Sequence, residues 1–134
     1  MQYGVKDASF KAAGKEEGIF LLASEFYRQM ETMEQAQKIR SMHPKDLEES
    51  IDKLSRFLCG WLGGPKRYRE KYGSISIPNA HSHLKISIVE QDAWLKCMEE
   101  ALKIMGYPKD YQAYLMVQLR VPASRCVNAD ISES

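Results

Sequence analysis

Apolar side chains recur every third or fourth residue along four separate stretches, and a chain patterned this way can bury its stripes only as packed amphipathic helices. Ile19, Leu22, Phe26, Met30 and Met33 form the first stripe and predict a helix over 16–34. Leu47, Ile51, Leu54, Leu58 and Trp61 form the second, with Asp46 as its N-cap and Gly63-Gly64-Pro65 as an abrupt stop. A third helix is predicted from Val89 to Met105, carrying Ala93, Trp94, Cys97, Ala101 and Ile104, and ending at Gly106 with Pro108 beyond. The fourth, from about Asp110 to Asn128, contains Pro122, which removes a backbone donor and is expected to bend it. Strand-like alternation is confined to "SISI", Ser74 to Ile77, which reads as loop. The predicted fold class is all-α.

A length of 134 residues suits one domain spanning 1–134. Between the second and third helices, residues 63–88 hold Gly63, Gly64, Pro65, Gly73 and Pro78, and so long an irregular segment in a small domain calls for a functional reason. The terminal "NADISES" is expected to fray. With 28% charged residues and a formal charge of +1, the chain lacks the electrostatic footprint of a nucleic-acid or anionic-membrane binder. "GIFLLA", Gly18 to Ala23, falls far short of the roughly 20 residues of a membrane span, and "MQYGVKDASF" lacks the apolar centre of a signal peptide. A cytoplasmic protein is expected. Cys59, Cys97 and Cys126 are too few and too scattered for a disulfide framework, and each falls among apolar neighbours as a small buried hydrophobe.

The irregular segment contains "PNAHSHLKI", with His81 and His83 two positions apart; His43 is the third histidine. In an extended segment the two imidazoles point in opposite directions, so a two-histidine metal clip needs a turn, and the remaining ligands of a zinc site are not visible. On spacing alone either histidine also reads as an ordinary loop side chain. Gly63-Gly64-Pro65 lacks the Gly-Lys-Ser/Thr ending of a phosphate loop and follows a helix, which makes it a helix stop. The run "PKRYREKY" interleaves Lys66, Arg67, Arg69 and Lys71 with Tyr68 and Tyr72; it suits RNA or the rim of a pocket that accepts carboxylates, and the acidic "DLEES" upstream favours the second.

"FLCGWLGGPKRYREKYG" followed by "HSHLKISIVEQDAWLKCMEEAL" closely resembles the group II truncated haemoglobins, and "AAGKEEGIFLLASEFYRQME" and "KIRSMHPKDLEESIDKL" resemble the same family. The resemblance covers about Phe10 to Asn128. Phe26-Tyr27 in the first long helix, Gly-Gly-Pro closing the second, and His81 thirteen residues before Trp94 carry it jointly. It implies a two-over-two helical sandwich around haem b, with His81 as the proximal iron ligand and His83 as a neighbour without that role. A neutral imidazole supplies an axial nitrogen while its other nitrogen is oriented by an acceptor. Pro78 is suited to begin a helical turn that aims this ring.

The ligand side is implied to contain Tyr27, His43, Ser50, Leu54 and Trp94. A bound dioxygen accepts hydrogen bonds from a tyrosine hydroxyl or an indole N–H, and His43 would add a titratable donor. Leu54 and Phe57 are implied to touch haem. Family members usually carry His-Pro where this chain has Ser74-Ile75, and arginines where it has Pro78 and Ala80. The propionates would then turn to Lys66, Arg67, Lys71, Tyr68 and Tyr72. The implied function is reversible binding of dioxygen, carbon monoxide or nitric oxide, with nitric oxide dioxygenation or peroxidase-like use of peroxide as enzymatic extensions; the first of these needs an external reductase, because no flavin or nicotinamide motif is visible. The competing expectation is a haem-free helical module whose central segment binds a protein or RNA.

Overall fold

Four long helices carry the architecture, as the four stripes predict. The computed structural model describes residues 2–74 and 76–128, with Asn79 and Ala80 described by backbone alone. Ile75 and most of the terminal "NADISES" therefore lie outside the described residues. In chain order the helices are α1 (Ala8–Ala12), α2 (Lys15–Thr32), a 3-10 turn (Glu34–Ala36), α3 (Gln37–Ser41), α4 (Glu48–Trp61), α5 (Arg67–Tyr72), α6 (Ile77–His81), α7 (Ile88–Met105) and α8 (Lys109–Arg125). Helix α2 packs against both α4 and α7, and α7 packs against α8. The result is two helix pairs laid on one another.

The reason α2 lies at the centre is written along its length. Ile19, Ala23, Phe26 and Met30 are fully buried and Leu22 nearly so, while Phe20 and Leu21 stay half exposed on the far side. Met98, Ala101 and Leu102 of α7 and Leu58 of α4 complete this core. At the N-terminal end the Tyr111 hydroxyl donates to the Ser9 carbonyl at 2.6 Å and the Tyr107 hydroxyl to the Ala13 carbonyl at 2.7 Å. Those two bonds fasten α1, which is too short to hold itself, to the α7–α8 corner.

Helix ends follow local chemistry, with corrections. Leu47, not Asp46, is the residue flanking α4, and it makes no side-chain cap. Asp46 nonetheless accepts from the Glu48 N–H at 2.9 Å, so it satisfies a first-turn donor from one position further out. Helix α7 starts on a full capping box: the Ser87 side chain accepts from the Val89 N–H and the Glu90 carboxylate accepts from the Ser87 N–H. It ends at Gly106 with φ +74, the left-handed conformation that terminates the turn. Pro122 lies inside α8 and is buried. The expected irregular stretch 63–88 contains two short helices, α5 and α6, and α6 begins at Ile77, one residue before Pro78.

Gly63 carries the sharpest backbone requirement. Its φ is +96, and a Cβ there would sit 2.2 Å from the Lys6 carbonyl oxygen. The α4 stop thus brings the N-terminal segment against the helix end. Gly63→Ala should lower stability by about 1–3 kcal/mol from the strained φ alone, and Leu58→Ala should cost about 2–5 kcal/mol from the cavity it leaves; urea unfolding followed by circular dichroism measures both.

Candidate haem site

One face of α4, seven-residue spaced and wrapping toward the interior, presents Ser50, Leu54, Phe57 and Trp61, all partly buried. Phe57 and Trp61 stack with ring centroids 6.3 Å apart. Leu54, Phe57 and Trp61 pack against the core and stay partly uncovered, so this face of α4 offers an apolar surface. At Trp61, a cavity of about 440 Å³ is lined by that residue with Ser76, Ile77, Pro78, Val121, Pro122 and Arg125. It lies between the end of α4, α6 and the last turns of α8.

His81 closes α6 and is partly buried. Its Nδ1 lies 2.8 Å from the Ile77 carbonyl oxygen, one helical turn back. A carbonyl can only accept, so Nδ1 carries the proton and Nε2 of the neutral ring keeps its lone pair. That is the donor an axial iron site requires, already oriented by its acceptor. The sequence placed His81 correctly on a turn but did not single out Ile77, because a helix starting there was not expected; the signal available was the four-residue spacing. His83 is exposed in the turn after α6.

Of the residues expected on the ligand side, Trp94, Tyr27 and His43 are joined by a row of rings, which does not include Ser50 or Leu54. Trp94 of α7 lies 5.0 Å from Phe26, Phe26 lies 4.9 Å from Tyr27, and Tyr27 lies 5.4 Å from His43. Phe26, read from the sequence as a core-stripe residue and a family marker, is also the residue that links these rings. Burial pushes the Tyr27 hydroxyl well above its ordinary value, so it stays protonated and a donor. His43 Nδ1 donates to the Ile39 carbonyl at 2.8 Å. Burial holds this imidazole below its ordinary value; the bond to Ile39 opposes that, and Arg40 and His81 add to it. A neutral His43 therefore offers an acceptor at Nε2, not a second donor.

The residues expected at the propionates separate into two groups. Tyr72 donates to Asp52 at 2.6 Å, Lys71 pairs with the same carboxylate at 2.9 Å, and Arg56 makes contacts of 2.9 and 3.0 Å. Arg67 binds Glu16 at 3.0 Å and Glu70 at 2.9 Å. Their partners line a separate polar cavity of about 340 Å³ with Ser55 and Cys59, on the opposite face of α4 from Leu54 and Phe57. Lys66 is exposed and Tyr68 is partly buried, its ring 5.1 Å from that of Tyr72. The cysteines are free; burial pushes the Cys97 thiol up to about 11, so it is an unreactive part of the core.

A tetrapyrrole with an iron centre fits the chemistry of these residues: an oriented imidazole nitrogen, partly uncovered aromatic and aliphatic side chains, and a protonated hydroxyl. Among the described residues there is no cluster of three or more His, Cys, Asp or Glu side chains that would hold a bare metal ion instead. No helix of the described residues is long and apolar enough to cross a membrane.

The bacterial-like globin family model matches residues 8–124. The chain is 31% identical over 127 residues to the group 2 truncated hemoglobin YjbI of Bacillus subtilis, covering 95% of this chain and 93% of that one. Among solved structures it is similar to the cold-adapted truncated hemoglobin of Pseudoalteromonas haloplanktis TAC125, with a TM-score of 0.85 and 29% identity over 90% of this chain and 97% of that one. The group II truncated hemoglobin of Bacillus anthracis superposes with a TM-score of 0.83 and 30% identity, covering 91% and 92% respectively.

Asp52 supplies a pH test of the α4–α5 junction. Burial would raise its carboxyl, but the bonds from Tyr72, Lys71 and Arg56 outweigh that and hold it far below its ordinary 3.8. A depressed folded-state value contributes stability above the unfolded-state value that is lost as pH falls through the folded one. Unfolding midpoints of wild type and Asp52→Asn should differ above about pH 5 and converge toward about pH 2.

Proposed function

Because the chain belongs to the bacterial-like globins, and within them to the group II truncated haemoglobins, we propose that it holds haem b through His81 and reversibly binds dioxygen. Membership of the family brings a haem-iron cofactor and a small diatomic ligand. The observation that carries the assignment to His81 is the 2.8 Å bond from its Nδ1 to the Ile77 carbonyl, which leaves Nε2 free and aimed by the backbone. When bound, the haem would supply an iron able to take up a small diatomic molecule, and His81 would hold it. In this reading Leu54 and Phe57 would flank the ring, and of the expected edge residues Lys66, Arg67, Tyr68 and Tyr72, Arg67 and Tyr72 are bound to carboxylates on the opposite face of α4. Lys66 and Tyr68 are the better suited of these, since Arg67 and Tyr72 already serve carboxylates.

On the ligand side Tyr27 donates from its hydroxyl and Trp94 from its indole N–H, while Ser50 and His43 shape the remaining edge. A hydrogen bond to a ligand that has gained partial negative charge is worth roughly 1–3 kcal/mol. The row of rings keeps both donors in place without side-chain entropy to lose on binding. Carbon monoxide and nitric oxide fit the same space. Conversion of nitric oxide or turnover of peroxide would extend this reading, the former with an external reductase, and the cytoplasm, where the three free cysteines stay reduced, is its place of action. The family match over 8–124 supports one globin domain across 1–134. A haem-free interaction module would leave the oriented imidazole and the half-covered aromatic wall without a task.

The purified protein supplied with haemin should show a Soret band. His81→Gly should lose the proximal-histidine signature and recover it on addition of imidazole; an unchanged spectrum overturns the assignment. Trp94→Phe should speed oxygen dissociation roughly five- to a hundredfold, read by stopped flow. Peroxide turnover no greater than that of free haemin would remove the peroxidase extension.

A further inference from the structure

Helix α6 has five residues, too few to be stable alone, so the direction of the His81 ring is borrowed from whatever holds the helix. Its neighbour is α8, and the strongest tie comes from Asn128, three residues beyond the end of that helix. The Asn128 side-chain carbonyl accepts from the Ile86 N–H at 2.8 Å. Its side-chain amide donates to the Leu84 carbonyl at 2.8 Å and to the His81 carbonyl at 3.3 Å. Its backbone N–H donates to the Ile86 carbonyl at 2.8 Å. One residue thus satisfies four backbone groups between His81 and Ile86.

These bonds form a clamp at the carbonyl end of α6. The imidazole is tied within the helix, through Ile77, so it moves as α6 moves. The far side of the clamped connection is rigid, because Ile86 is buried and Ser87 opens the capping box of α7. At the other end of α6, Ile77 and Pro78 border the cavity beside Val121, Pro122 and Arg125. A proline side chain has no donor with which to fix this helix from its own surface. The restraint therefore comes from the end of α8.

We propose that Asn128 is a positioning residue for the proximal histidine: its side-chain amide locks the His81–Ile86 connection to the end of α8 and so sets where Nε2 of His81 stands. The proposal rests on His81 being the iron ligand. It assigns Asn128 no contact with haem, and it distinguishes the amide donor, which reaches His81 and Leu84, from the acceptor, which reaches only Ile86.

The test uses the full chain reconstituted with haem and reads the iron–histidine stretching band of the ferrous protein by resonance Raman, together with the rate of haem transfer to apomyoglobin. Asn128→Ala is expected to shift and broaden the band and to speed haem loss about tenfold. Asn128→Asp keeps an acceptor for Ile86 but cannot donate to His81 or Leu84, and it is expected to behave like the alanine variant. Ser124→Ala, which removes a bond to the Val121 carbonyl at the same helix end, is expected to leave the band in place. A wild-type band in Asn128→Asp, or an equal shift in Ser124→Ala, overturns the role of the amide. His81→Gly separates the two failures. If the band survives that substitution, the ligand assignment falls and takes the proposal with it; if it vanishes there but is unchanged in Asn128→Ala, only the role of Asn128 falls.

Discussion

Burial of α2 on two flanks at once is the constraint on which the rest of the molecule depends. A helix covered by α4 on one side and α7 on the other must be apolar around much of its circumference, and Ile19, Leu22, Ala23, Phe26 and Met30 meet that demand with almost no exposed surface. Packing at this density leaves few alternatives for the rings beside it. Tyr27 follows Phe26 in sequence and so emerges at the edge of the core, where its ring meets His43, while Phe26 meets Trp94. The donors proposed for a ligand are held by the same contacts that hold the fold.

The two sides of the site are built differently. Tyr27 and Trp94 belong to helices of 18 residues each, and their positions are set by the core. His81 belongs to a helix of five, and its position is set by hydrogen bonds at the ends: Ile77 behind the ring and Asn128 across the following turn. In the proposed reading the ligand side is set by the core and the proximal side by a few polar bonds. Local stability follows contact density, so the segment around α6 is where small changes in sequence have most effect on the position of His81.

Charge reinforces the junctions between helices more than it marks a binding surface. Asp52 collects Arg56, Lys71 and Tyr72 and ties α4 to α5. Glu90 is almost fully buried; burial raises its carboxyl, and the bonds from Ser87 with the charge of Lys38 more than compensate. Its pairing with Lys38 at 3.3 Å joins α3, just before His43, to the first turn of α7, one turn before Trp94. Arg40 binds Glu31 and donates to the carbonyls of Pro44 and Lys45 at 3.0 Å, which fixes the turn that carries His43. The basic run after α4 is thus largely occupied with structure, and Arg67 and Lys71 show it most clearly.

Sequence by itself determined the four long helices and their approximate ends, because apolar spacing and capping residues act within a few positions of where they are written; the register of His81 with Trp94 came from the resemblance to a family. It also placed Tyr27 beside Phe26, since neighbours on a buried helix need no tertiary information. Tertiary structure alone decided which groups of the basic run are free, that His43 presents an acceptor, that residues 63–88 hold two short helices, and that Asn128, which reads as the start of a fraying tail, holds the proximal turn. The occupied basic run and the role of Asn128 depend on contacts between residues far apart in the chain, such as Tyr72 with Asp52 or Asn128 with His81, and the state of His43 on its burial. A short helix or a single polar side chain carries no periodic signal of its own; its conformation is fixed only when the long helices bring its partner within hydrogen-bond distance.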